Sequence, residues 1–112
     1  MLVEVLGFDG CPNTPVMEAR VSAAVVALGP EYRLVLVDQD SLPEGDLRRG
    51  YPTPTVLLEG ADLFGLPAPD APAMGCRVYP SGLPSAAEIE RRLSDARQRE
   101  TESSAAPPGP ED

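Results

Sequence analysis

The sequence contains no histidine, no lysine and no tryptophan, and it has only two cysteines. Without histidine there is no Ser/His/Asp triad, no Cys/His protease pair and no His-ligated zinc site. Cys11 and Cys76 alone cannot supply a four-thiolate zinc site or an iron–sulfur cluster from one chain. All nine cations are arginine, set against 18 carboxylates, for a net charge of −9. A chain this acidic, with no basic patch, is a poor partner for nucleic acid or for an anionic membrane. No apolar run approaches the roughly 18 residues that span a bilayer. The apolar stretch LVEVLGF near the N-terminus follows no basic residues and is too short and mixed for a secretory signal, so a cytoplasmic location is expected. In a reducing compartment, paired cysteines are more often reactive than structural.

What remains is one small domain. The chain has 112 residues, and its last 13, ETESSAAPPGPED, hold three prolines and four acids with no cation and no large apolar group. Such a segment cannot bury enough surface to offset the entropy of ordering. The expected organisation is a folded domain over residues 1–99 and a disordered acidic tail over 100–112. The domain by itself has 14 acids and nine arginines, a net charge of −5.

Hydrophobic patterning predicts the elements. LVEVLGF (2–8) alternates as a strand does. In TPVMEARVSAAVVALG, the residues Met17, Val21, Ala24, Val25 and Leu28 form one helical face, and Gly29-Pro30 stops it. YRLVLVD (32–38) is nearly all apolar, as a strand covered on both faces would be. SLPEGDLRRG (41–50) reads as a weak helical turn. PTVLLEG (54–60) is a strand with ADLFG (61–65) as its short hairpin partner. A proline-rich loop over 66–75 leads to an extended segment, CRVY (76–79). Ser85 and Glu88 form a capping box for a last helix with Ala86, Ile89, Leu93 and Ala96 on its apolar face. The order β–α–β–(α)–β–β–α implies an α/β fold: a mixed sheet of about four strands flanked by helices on both faces, a three-layer sandwich.

Two local features carry chemistry. Cys11 falls where the first strand ends and the first helix begins. Backbone N–H groups and the helix dipole favour a thiolate there. The helix can start at Pro12, or at Pro15 with Thr14 as its cap; in the second case Cys11 sits about one turn short of it. A reactive thiol and an inert thiol in a turn both fit the position. Asp9 beside it would oppose thiolate formation by like-charge repulsion. The second feature is Tyr51-Pro52-Thr53-Pro54-Thr55-Val56. A proline directly ahead of an apolar strand is a candidate cis bond, and such a bend can leave the Thr53 backbone open to a docked extended peptide. Two trans prolines fit as well.

Strand, Gly-Phe-Asp-Gly-Cys11-Pro-Asn-Thr14, helix, strand, Pro54-Thr55-Val56-Leu57-Leu58, hairpin and terminal helix together resemble the thioredoxin-like family over about residues 2–98. Within it, the CPN motif and the downstream Gly-Cys76-Arg-Val-Tyr are similar to short bacterial thioredoxin-like proteins, some of them described as alkylmercury-lyase-like. The resemblance implies a thioredoxin fold and a thiol–disulfide oxidoreductase needing no cofactor and no metal. Cys11 takes the nucleophile's place and Pro54 that of the cis-proline. Thr14 stands where a resolving cysteine would be, as a hydroxyl able to hydrogen-bond the Cys11 thiolate. Thr53, Pro54 and Asn13 are the implied substrate contacts. In such a sheet the loop 66–75 begins on the Cys11 side, so Cys76 could resolve a Cys11 mixed disulfide; a small buried residue fits Cys76 too. Arg77 reads as a solvated side chain, and Asp38 and Asp40 as surface caps. The implied partners are protein or small-molecule thiols and disulfides. Two alternatives stand: a soft-metal site for Hg²⁺ or Cu⁺ on two thiolates, with Asp9 as the nearest acid for organomercurial cleavage, and a non-catalytic module presenting the Pro54 edge to a partner, which a buried Cys11 would favour.

Overall fold

The structure, a computed structural model, describes residues 1–8, 10–69, 77, 79 and 82–105, with residues 99–105 as backbone only. Strand β1 (Leu2–Gly7) is its centre. It pairs in parallel with β2 (Arg33–Asp38) and antiparallel with β3 (Thr55–Leu58), which pairs antiparallel with β4 (Ala61–Asp62). The resulting order, β2-β1-β3-β4, is a four-stranded mixed sheet. Together with helices α1 (Thr14–Leu28) and α2 (Ala86–Ala105) it makes a small α/β fold. No helix among the described residues is long and apolar enough to cross a membrane.

Strand alternation sorts β1 between two layers. Val3 and Val5 join Val56 and Leu58 in a cluster with Met17, Val21 and Ala24 of α1 and Ile89 and Leu93 of α2. Leu6, on the opposite face, packs with Leu57 and Tyr51. Both α-helices therefore lie on one face, which corrects the expectation of helices on both. The second face is covered by the segment after β2, which forms two 3₁₀ turns, Gln39–Ser41 and Leu47–Gly50. Gly45 and Pro43 keep that segment from winding into an α-helix. Buried Gln39 holds it together, its Nε2 donating to the Arg48 and Tyr51 carbonyls at 2.8 and 2.9 Å. Arg48 ties it to the sheet through Glu4 (2.8 Å) and also binds Asp46 (2.6 Å). The Arg48 hydrogen bond holds the Asp46 carboxyl down at about 2.

The expected helix faces are the observed ones: Met17, Val21 and Ala24 of α1, and Ile89 and Leu93 of α2, are all buried. Ser85 Oγ accepts from the Glu88 N–H at 3.1 Å, and Arg92 reaches back to Glu88 at 3.2 Å. Arg20 of α1 donates to the Leu83 and Pro84 carbonyls, fastening the start of α2 to α1. α2 continues through Ala105, so the expected boundary after residue 99 falls inside it. No proline or glycine interrupts the backbone before Pro107, so nothing there breaks the ladder.

β2 departs from expectation. Its residues are all exposed or half-buried, and Leu36 is 54% exposed. It is an edge strand, and an apolar run does not by itself reveal how many neighbours a strand has. Tyr32, just outside it, is buried instead, its hydroxyl donating to the Leu93 carbonyl at 3.1 Å.

Leu93 lies at the junction of both helices and the sheet. Leu93→Ala is expected to lower stability by about 2–5 kcal/mol, from lost burial plus the cavity left behind. Urea denaturation followed by circular dichroism checks this, with a shift of the midpoint at nearly constant slope.

Candidate functional site

The site is built on the end of β1. Gly7 closes the strand, and the chain turns through two hydrogen bonds, Cys11 N–H to Phe8 O and Thr14 N–H to Cys11 O, both 3.2 Å. α1 begins at Thr14, with Asn13 as the capping residue and Pro15 in the first turn. Cys11 thus precedes the helix by three residues; the observed start falls one residue before the later of the two expected ones, and Asn13, not Thr14, is the capping residue. Asn13 is exposed, and its side chain makes no capping bond.

The glycine at position 7 was not singled out by sequence, yet the turn depends on it. A Cβ there would stand 2.3 Å from Thr14 Cγ2 and 2.8 Å from Thr14 Oγ1. Thr14 therefore seats its side chain directly on the Gly7 backbone. The only sequence signal is a glycine closing a strand of larger residues, a common mark of close approach. This seat also explains a correction. The Thr14 hydroxyl is buried and has no hydrogen-bond partner among the described residues, so the expected bond to Cys11 is not formed.

Cys11 is 4% exposed. Its thiol donates to the Thr53 carbonyl, with Sγ 3.8 Å from the oxygen. The Thr53–Pro54 peptide bond is cis, as the sequence admitted. Thr53, Pro54 and Thr55 are all buried, and the Thr55 hydroxyl donates to the Pro52 carbonyl. The Thr53 backbone is not left open: the Arg77 N–H donates to its carbonyl at 2.6 Å. The chain supplies its own backbone donor at the position expected to take a peptide.

Arg77 is the largest departure from expectation. Its guanidinium is paired with Asp62, whose side chain is wholly buried, through contacts of 2.7 and 3.2 Å. It also donates to Thr55 Oγ1 at 3.1 Å and lies 4.5 Å over the ring of Tyr79. Asp62 further accepts the N–H groups of Phe64 and Leu66. A buried carboxylate with this many donors is satisfied, and a solvated Arg77 would leave it uncompensated. The Tyr79 hydroxyl donates to the Pro54 carbonyl at 2.6 Å, and its ring meets Phe64 edge-on at 5.9 Å. Burial is the main reason the Tyr79 hydroxyl is pushed up to about 12.

Next to Cys11 the surface opens into a groove of about 670 Å³, bordered by Phe8, Pro12, Thr14, Glu18, Leu36 and Asp38 among others. Asp38 caps the first 3₁₀ turn, accepting from Asp40 N–H (3.0 Å) and Ser41 Oγ (3.3 Å), as expected of a surface cap. Cys76 and Asp9 lie outside the described residues. Among those described, no group of three or more Cys, Asp or Glu is placed to hold a metal ion. The structure thus brings together Cys11, Thr14, Thr53 and Pro54, with Asn13 turned to solvent.

Comparison with protein-family models, with curated proteins and with solved structures finds no match for this chain.

Two outcomes test the network behind Pro54. Arg77→Met is expected to cost about 3–5 kcal/mol by stranding the Asp62 carboxylate, and adding Asp62→Asn is expected to recover much of the loss; urea denaturation of the three proteins reads both. For Tyr79, the unfolded chain ionises near 10 and the folded chain near 12, so stability falls as pH rises across that interval. Tyr79→Phe is expected to flatten that fall and to remove the highest phenolate transition in an ultraviolet pH titration, while losing about 1 kcal/mol at neutral pH with the bond to Pro54.

Proposed function

We propose that this chain is a thioredoxin-like thiol–disulfide exchange protein with Cys11 as its nucleophile. The observation that carries the reading is the convergence on the Thr53 carbonyl. The Cys11 thiol and the Arg77 N–H both donate to it, at 3.8 and 2.6 Å. Arg77 is joined by a peptide bond to Cys76, so the reading takes Cys76 as the resolving thiol. The arrangement of elements adds support, with a parallel β1–α1–β2 unit followed by an antiparallel hairpin and a terminal helix. So does the groove beside Cys11, which gives a small molecule a way in.

The chemistry needs no cofactor. The Cys11 thiolate attacks a disulfide sulfur, forming a mixed disulfide and expelling a thiolate; a second thiol then attacks Cys11 and regenerates or closes the site. Catalysis by histidine is not required, because the thiolate is itself the nucleophile. A protein substrate would have to displace Arg77 from Thr53, so small-molecule disulfides are the better fit.

A second reading is a non-catalytic module of the same fold. The burial of Cys11, at 4% exposure, favours it.

The test is a redox titration of the whole chain with trapping of thiols by alkylation and peptide mass mapping. Under the first reading, Cys11 loads with a small disulfide, and Cys11 and Cys76 interconvert between thiols and one intramolecular disulfide at a midpoint between roughly −300 and −150 mV. Cys11→Ser abolishes both events, and Cys76→Ser leaves the Cys11 mixed disulfide accumulating. Failure of Cys11 to form a mixed disulfide in the folded protein, with normal loading after denaturation, leaves the non-catalytic module.

A further inference from the structure

The walls of the groove beside Cys11 carry charge of one sign. Glu18 of α1 and Asp38 at the end of β2 both border it, and no arginine among the described residues does. Neither carboxylate is in an ion pair among the described residues; Asp38 meets only the Asp40 N–H and the Ser41 hydroxyl, which are neutral donors. The apolar part of the wall is supplied by Phe8 and by Leu36, an exposed leucine on an edge strand. Thr14 also borders the groove, with its buried hydroxyl turned to the Gly7 backbone. An apolar wall and two carboxylates outside any ion pair define the chemistry of what fits.

We propose that the groove selects small cationic disulfides, of the aminoalkyl class, and disfavours anionic ones. The inference rests on the reading of Cys11 as a nucleophile. The ammonium groups meet the field of Glu18 and Asp38, and the methylenes lie along Phe8 and Leu36. In the reaction, a bond forms between Cys11 Sγ and one sulfur of the disulfide while the sulfur–sulfur bond of the disulfide breaks. The departing half leaves with the electron pair as a thiolate and takes a proton from water. Cys11 is oxidised and the departing half is reduced, so the disulfide itself is the oxidant.

The test compares three disulfides on the reduced full-length chain: cystamine (dication), bis(2-hydroxyethyl) disulfide (neutral) and 3,3′-dithiodipropionate (dianion). Each rate of mixed-disulfide formation at Cys11, located by peptide mapping, is divided by that disulfide's rate with N-acetylcysteinamide, which removes intrinsic reactivity. The cystamine-to-dithiodipropionate ratio is expected to be about tenfold or more at low salt and to shrink in about 0.5 M salt. The Glu18→Gln/Asp38→Asn variant, in which the new amide keeps an oxygen to cap the 3₁₀ turn, is expected to lower the ratio at least about fivefold. Glu90→Gln/Asp95→Asn removes the same charge from a surface that borders Leu28, at the far end of α1. That variant is expected to keep the ratio within about twofold of the parent. Equal lowering by the two variants would assign the preference to overall charge and overturn the groove. A ratio near one would overturn it as well, while loading by the neutral disulfide would still leave Cys11 a nucleophile. No loading by any of the three removes the nucleophile reading, and this inference with it.

Discussion

β1 has a hydrogen-bonded neighbour on each edge and a covering layer on each face. A strand so placed has no room to slip, because a shift of one residue would carry Val3 and Val5 to the wrong layer and push Glu4 into the helices. One side of the candidate site hangs from its end. Gly7 brings the backbone close enough to seat Thr14, Thr14 sets where α1 starts, and the turn between them holds Cys11 against Thr53. The position of the thiol is thus a consequence of core packing several residues away.

The other side of the site is held by charge. Asp62 sits on β4 with its carboxylate fully buried, and four donor groups from Phe64, Leu66 and Arg77 converge on it. Through Arg77 that carboxylate governs Thr53 and Thr55, and through the aromatic contact of Tyr79 with Phe64 it reaches α2, where Arg92 lies 4.6 Å over the Phe64 ring. Buried ion pairs are weak contributors to net stability but strong determinants of arrangement, since a wrong register would leave a charge unpaired. Here the arrangement at stake is the loop facing Cys11.

Much of this architecture was legible in the residues. Met17, Val21 and Ala24, and Ile89 and Leu93, declared their helices because a period of 3.6 is hard to produce by accident. Cys11 could be placed at a strand–helix junction, and Pro54 ahead of a buried strand, because turn residues and strand periodicity are local signals. The Asp62–Arg77 pair was not legible, since the partners are 15 residues apart in sequence and no local pattern links them. The exposure of Leu36 was hidden for a related reason: VLV in an edge strand and in a central strand look alike. Gly7 was not legible because its role is set by what another residue needs, a place for the Thr14 side chain.

The Arg77 N–H on the Thr53 carbonyl has one further consequence. It belongs to the same chain, so any outside strand seeking that acceptor competes with a donor tethered at an effective concentration in the millimolar range or above. Extended polypeptides at cellular abundance are far more dilute than that. Under the proposed reading, a short molecule that needs no backbone pairing meets no such competitor on the groove side, whereas a peptide must first displace an intramolecular donor.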